Sequence, residues 1–125
     1  MITIEDLNQF VGTSKYHLDY LGLKLTDGTA FIRDELKAGW LISDIASVWK
    51  CEAKVKDKGF IVITLEIRNA KKEATLIFSE DKDGEKYIKV LYKQQYKFTD
   101  IAEYYDGTEI KFYLIDGVLL LPSEY

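Results

Sequence analysis

Cysteine and histidine are nearly missing from this chain of 125 residues, which has one of each, Cys51 and His17. A single cysteine cannot form a disulfide within the chain, and together these two residues cannot supply the ligands of a structural zinc site. Asp81 to Glu85 resembles a calcium loop in its acidic spacing but lacks the closing glutamate, so a plain hairpin turn is predicted there. Gly-x-Gly-x-x-Gly and Walker A sequences are absent as well. The sequence therefore predicts no cofactor and no metal site.

Long apolar runs are also missing. No run approaches the roughly 18 residues that a membrane-spanning helix needs. The opening residues, Met1 to Asp6, contain no basic region followed by an apolar stretch, so no signal peptide is expected. Together with the lone cysteine, these features predict a cytoplasmic protein that does not bind membranes.

Charge is distributed unevenly, although the formal net charge is only −4. Residues 1–49 carry 4 basic and 7 acidic side chains, residues 50–97 carry 12 and 8, and residues 98–125 carry 1 and 6. Aromatic residues are abundant, with 9 Tyr, 6 Phe and 2 Trp, and such residues are favoured in cores and at interfaces. The last third is thus a candidate acidic and aromatic surface, although charged side chains also simply solvate a sheet.

Helical signals dominate residues 1–50. Thr3 to Asp6 has the pattern of a capping box at the start of a short helix. A short extended segment over residues 21–25 precedes a second helix, which is predicted to begin near Asp27. The clearest helix spans Trp40 to Lys50, where apolar residues recur at helical spacing: Leu41, Ile45, Val48 and Trp49.

After the last helix the apolar period changes to two, which is typical of strands. Residues 59–121 contain five such runs, and turn residues such as Asp116-Gly117 separate them. Consecutive strands with short connections predict an antiparallel meander, and helices that precede it would cover one face. The sequence therefore predicts one α+β domain over residues 1–125. Its helical part, residues 1–50, packs on one face of a roughly five-stranded antiparallel sheet.

His17 and Cys51 are the candidates for acid–base or nucleophilic catalysis. Tyr16, Asp19 and Tyr20 could orient the His17 ring, but no nucleophile motif surrounds it. A reactive thiolate at Cys51 would require an electropositive setting, and a small buried side chain is the ordinary role of a lone cysteine. No catalytic residue is predicted. A small enzyme that uses Cys51 or His17 with acidic partners stays as an alternative.

Lysine and tyrosine interleave over residues 86–97, as on some surfaces that bind single-stranded nucleic acid. The sequence pI of about 5.0 is opposite to the basic character expected of such proteins. Direct nucleic-acid binding is therefore not expected, and a nucleic-acid-binding module is kept as a further alternative.

Three segments together resemble a known family: Leu25 to Gly28, Ala38 to Ser47, and Gly117 to Tyr125 with its Leu-Leu-Leu-Pro-Ser-Glu-Tyr ending. Tyr16-His17 is similar to an early Tyr-Tyr-x-His element of the same family. These are small bacterial proteins catalogued as a domain of unknown function and often carried on plasmids, phages and other mobile DNA. The resemblance implies no known activity, but small mobile-element proteins often act by binding and blocking a host protein.

These observations predict a non-enzymatic protein-binding module, of the kind that phages and mobile elements use to inhibit a host defence protein, such as an anti-CRISPR. The predicted partner is a host protein with a basic surface. The predicted binding residues lie in the acidic last third: Glu103, Tyr104, Tyr105 and Asp106.

Overall fold

Four α-helices lie in the described part of the chain, which comprises the backbone of residues 1–125 and every side chain except that of residue 69. The computed structural model places them as α1 (Ile4–Asn8), α2 (Asp27–Glu35), α3 (Gly39–Cys51) and α4 (Ala53–Lys56). The predicted capping box of Thr3 and Asp6 is present at the start of α1. None of these helices combines the length and the apolar character that crossing a membrane requires.

Seven strands form one mixed sheet in the order β1-β2-β7-β6-β3-β4-β5. Their bounds are β1 (His17–Leu18), β2 (Lys24–Leu25), β3 (Phe60–Arg68), β4 (Glu73–Asp83), β5 (Lys86–Tyr96), β6 (Glu109–Ile115) and β7 (Val118–Leu120). The chain is thus α+β, as predicted, and the five strands expected after residue 58 are all present.

The predicted topology is wrong in two respects. The sheet is not purely antiparallel, because β2 pairs with β7 in parallel through Lys24 and Leu25. The strands are also not a meander, because β6 pairs with β3 rather than with β5. The reason is that β3 is the most thoroughly buried strand, with Ile61 to Leu65 all inaccessible to solvent. Its burial is completed by a partner on each edge, β4 on one side and β6 on the other.

The main apolar cluster contains side chains of the helices and side chains of the strands. Ile32, Leu41 and Ile45 of α2 and α3 belong to the same cluster as Ile63 of β3 and Phe112 of β6. All five are completely buried. The period-two pattern of the strands and the helical spacing of α3 therefore supply the same core.

The β4–β5 hairpin bends in its outer part, residues 80–90, which we call the hairpin arm. The register shifts between Phe78 and Ser79, and Lys89 has a φ of 53°. Beyond this bulge, Lys82 forms an ion pair with Glu109 of β6 at 2.6 Å. The predicted loop over Asp81 to Gly84 is therefore strand as far as residue 83, and Gly84 turns the chain with a φ of 60°.

Candidate interaction surface

The acidic segment, residues 98–109, links β5 to β6. A 3₁₀ turn begins at Ile101, which is fully buried. The backbone N–H of Ile2 donates to the carbonyl of Tyr104 at 2.8 Å, and that of Asp106 donates to the carbonyl of Ile2 at 2.8 Å. The acidic segment is thus held by hydrogen bonds to Ile2 and by the burial of Ile101. The backbone that carries its exposed side chains is therefore fixed in place.

Tyr105 does not lie on the surface predicted for it, because only 1% of the residue is exposed. Its hydroxyl donates to the carbonyl of Glu109 at 3.0 Å, and a Cβ on Gly107 would lie 2.5 Å from the ring. Burial, with the nearby carboxylates of Glu109, Glu5 and Asp106, raises the pKa of Tyr105 to about 12. The prediction of an exposed Tyr105 is wrong, since the ring fills the space that the missing side chain of Gly107 leaves.

The other predicted binding residues are accessible to different degrees. Glu103 and Asp106 are exposed, and Tyr104 is half-buried against the core. Three exposed carboxylates of the acidic segment have no basic group within ion-pair distance among the described residues: Asp100, Glu103 and Asp106. The fourth acid, Glu109, pairs with Lys82. This surface is therefore negative over most of its length.

An aromatic groove of about 500 Å³ adjoins the acidic segment. The rings of Trp40 and Tyr96 form its wall, with centroids 4.9 Å apart and planes at 70°. Phe98 stands at its edge and is 94% exposed. The Tyr96 hydroxyl donates to a carboxylate oxygen of Asp44 at 2.7 Å, and burial together with this contact raises the pKa of Tyr96, so the phenol stays neutral. The remaining lining residues are Lys72, Thr99 and Asp100.

The tyrosines of β5 are engaged within the fold. The hydroxyl of Tyr87 donates to Glu66 at 2.6 Å, and the ring of Tyr92 packs edge-on against Phe78 with centroids 5.8 Å apart. Tyr96 is held by its contact with Asp44, as described above. All three tyrosines that the sequence suggested for base stacking therefore contact other residues of the fold. Nothing in their geometry favours a nucleic-acid platform.

His17 lies in β1 and contacts Asp27, with His17 Nε2 2.9 Å from Asp27 Oδ1. The backbone N–H and the hydroxyl of Ser14 donate to the other oxygen of the same carboxylate, each at 2.8 Å. Asp27 therefore stands between the serine and the histidine. In a nucleophilic triad the histidine occupies the central place, so this arrangement does not activate Ser14.

Cys51, at the end of α3, is exposed and lines a shallow cavity with Asp44 and Tyr92. His17 does not line that cavity, so the structure does not bring the two catalytic candidates together there. In the described part of the chain, His, Cys, Asp and Glu side chains do not gather in groups of three that could hold a metal ion.

The contacts of Asp27 predict a pH dependence of stability. Hydrogen bonds from the Ser14 backbone, from His17 and from the Ser14 hydroxyl lower the pKa of Asp27 well below its ordinary 3.8. The stabilisation is therefore fully present above that ordinary value and is lost as the pH falls toward the lowered value. Urea denaturation at about pH 7, 4, 3 and 2 measures the free energy of unfolding at each pH. On acidification, we expect this free energy to fall less in Asp27→Asn than in the unaltered chain. Equal losses in Asp27→Asn and in the unaltered chain would contradict this assignment.

A C-terminal clasp joins the N-terminus of α2 to the end of the chain and comprises Thr26, Gly28, Leu121 and Glu124. One carboxylate oxygen of Glu124 accepts from the Thr26 hydroxyl at 2.6 Å and from the Leu121 N–H at 2.9 Å. The other accepts from the N–H of Gly28 at 3.1 Å. A Cβ on Gly28 would lie 2.7 Å from both Glu124 and Leu121. Two of the motifs that carry the family resemblance thus meet in one contact.

A family model described as a family of unknown function, DUF6876, matches residues 1–125. The chain belongs to that family. No curated protein matches it, and no solved structure matches it.

The aromatic groove was not expected from the sequence. The sequence predicts only that Trp40 begins a helix and that Tyr96 lies in the lysine- and tyrosine-rich run over residues 86–97. The two lie more than 50 positions apart in the chain, and only the packing of α3 beside β5 brings them into contact. Phe98 is the one residue whose position in the sequence could have indicated this groove. It is a large apolar residue between a predicted strand and the acidic stretch that begins at Asp100.

Proposed function

We propose that this chain is a non-enzymatic protein-binding module, and that a basic surface of a host protein docks on the aromatic groove and the acidic segment. The observation that carries the proposal is Phe98, which is 94% exposed at the edge of the groove formed by Trp40 and Tyr96. An exposed aromatic ring beside an aromatic groove is the kind of anchor that dominates protein interfaces. Burial of Phe98 in a complex would remove a large apolar surface from water.

Charge supports a basic partner. The exposed carboxylates of Asp100, Glu103 and Asp106 lie on the segment that follows Phe98, and they have no ion-pair partner among the described residues. Unpaired charges of one sign steer a partner of opposite sign and raise its association rate. The proposed surface thus combines an apolar anchor with an electrostatic guide.

The proposal extends to the biological role. We propose that the chain is an inhibitor carried by phages or mobile elements that blocks a host defence protein, with an anti-CRISPR as the specific case. Support comes from the resemblance to small mobile-element proteins and from the acidic surface, which suits a positively charged nucleic-acid groove. Co-expression with CRISPR interference systems in a plasmid-loss assay tests this role, since an anti-CRISPR restores plasmid retention.

Charge reversal tests the docking surface. We expect Glu103→Lys with Asp106→Lys to slow association with a captured basic partner by roughly tenfold, with a smaller change in dissociation. The same reversal should flatten the salt dependence of the association rate, because exposed charges are screened over roughly 8 Å at physiological ionic strength. Stopped-flow kinetics at two salt concentrations measures both effects.

A matched control reverses two exposed acids elsewhere, Glu35→Lys with Asp83→Lys, and so makes the same change in net charge. Phe98→Ala should in turn speed dissociation, because it removes the anchor and leaves the charges in place. If both double reversals slow association equally, only the net charge matters and the docking surface is wrong. An unaltered complex with Phe98→Ala would exclude the groove.

A further inference from the structure

A second cavity, of about 440 Å³, lies among α1, the hairpin arm, β6 and the C-terminal end of the chain. Its apolar lining includes Leu7, Leu121 and Pro122, and Ile4 stands at its rim, 45% exposed. Its polar lining includes Lys82, Glu109 and Lys111. The size and the mixture of apolar walls with a few polar groups are typical of sites for small molecules.

The charges in this cavity do not balance. The Lys82 side chain is only 5% exposed, and its ammonium lies 2.6 Å from Glu109 Oε2 and 5.1 Å from the centre of the Tyr87 ring. That pair therefore neutralises itself. Lys111 has no carboxylate within ion-pair distance among the described residues, and its ammonium lies 5.5 Å from the centre of the Tyr113 ring. One positive charge is left over beside an apolar cavity.

The sheet leaves this position open. β7 pairs with β6 only from Tyr113 to Ile115, so the part of β6 that holds Glu109 and Lys111 has no β7 partner. The hairpin arm reaches this part of β6 through Lys82, and Gly84 at the tip of the arm lines the cavity. The cavity is therefore built by the bend of the hairpin and by the shortness of β7.

We propose that this cavity binds a small molecule with an apolar body and one anionic group, such as a carboxylate or a sulfonate. The apolar body lies against Leu7, Leu121 and Pro122, where its burial removes apolar area from water. The anionic group accepts hydrogen bonds from the ammonium of Lys111, and such charge-assisted bonds are stronger than neutral ones. This cavity shares only Glu109 with the acidic segment, and Glu109 is paired with Lys82, so each proposal can fail without the other.

Fluorescence titration of the full chain tests the proposal with two probes of similar shape. The anionic probe is 8-anilinonaphthalene-1-sulfonate and the neutral one is N-phenyl-1-naphthylamine. We expect saturable binding of the anionic probe to one site. Lys111→Met should weaken it by roughly tenfold, while the neutral probe is unaffected and Lys111→Arg retains binding of both.

Two further variants locate the site. Lys93→Met removes an exposed lysine of β5 that does not line this cavity and should leave both probes unaffected. Ile4→Trp narrows the rim and should weaken both probes, with thermal unfolding confirming that each variant is folded. If Lys111→Met and Lys93→Met bind the anionic probe alike, Lys111 is not its partner and the proposal fails. An unchanged affinity in Ile4→Trp would place binding elsewhere and overturn it as well.

Discussion

Replacing Phe112 with alanine is expected to lower the free energy of unfolding by about 3–5 kcal/mol, the range for a buried phenylalanine. Phe112 is completely buried in the middle of β6, opposite Ile63 of the central strand β3. It belongs to the main apolar cluster that α3 shares with the sheet. The alanine would leave a cavity in a closely packed core that cannot collapse around it. The lost transfer free energy of the ring and the cost of the cavity therefore add.

Phe98→Ala is the matched control for this prediction, because it makes the same chemical change at a residue that is 94% exposed. We expect it to alter the free energy of unfolding by less than about 0.5 kcal/mol. Urea denaturation followed by tryptophan fluorescence measures both variants. Equal effects of the two substitutions would mean that β6 does not occupy the position described beside β3.

The second large effect is expected at the C-terminal clasp. Glu124→Ala should cost about 2–4 kcal/mol, because hydrogen bonds to a charged group contribute about 1.5–3 kcal/mol each and do not add fully. The substitution removes the acceptor for three donors, from Thr26, Gly28 and Leu121. Thr26 and Gly28 are buried, so water replaces the lost acceptor poorly.

Glu124→Gln gives a graded test of the same contact. Its amide oxygen can still accept from Thr26 and Leu121, but its NH₂ group would face the N–H of Gly28. We therefore expect the free energy of unfolding of Glu124→Gln to lie between that of the unaltered chain and that of Glu124→Ala. Glu35→Ala, at an exposed acid on α2, should have almost no effect. A Glu124→Ala variant as stable as Glu35→Ala would show that the clasp does not stabilise the fold.

Residues close together in the chain determined the elements. The capping box at Thr3, the helical spacing of α3 and the period-two runs after residue 58 each act over a few positions, and the structure has an element at each. Glycine at turns acts equally locally, as Gly84 and Gly117 show with φ values of 60° and 82°. For the candidate surface, the sequence alone likewise located the run of acids from Asp100 to Glu109.

The tertiary structure decided which elements meet and which side chains remain exposed. β6 lies beside β3 because β3, the most thoroughly buried strand, has a partner strand on each edge. No local sequence pattern predicts that pairing. Tyr105 is buried in the core and Phe98 is exposed, although both are aromatic residues close to acidic ones in the sequence. The aromatic groove depends on Trp40 and Tyr96 meeting across the fold. Such contacts follow from burying apolar area globally, whereas local periodicity reflects only the backbone geometry of one element.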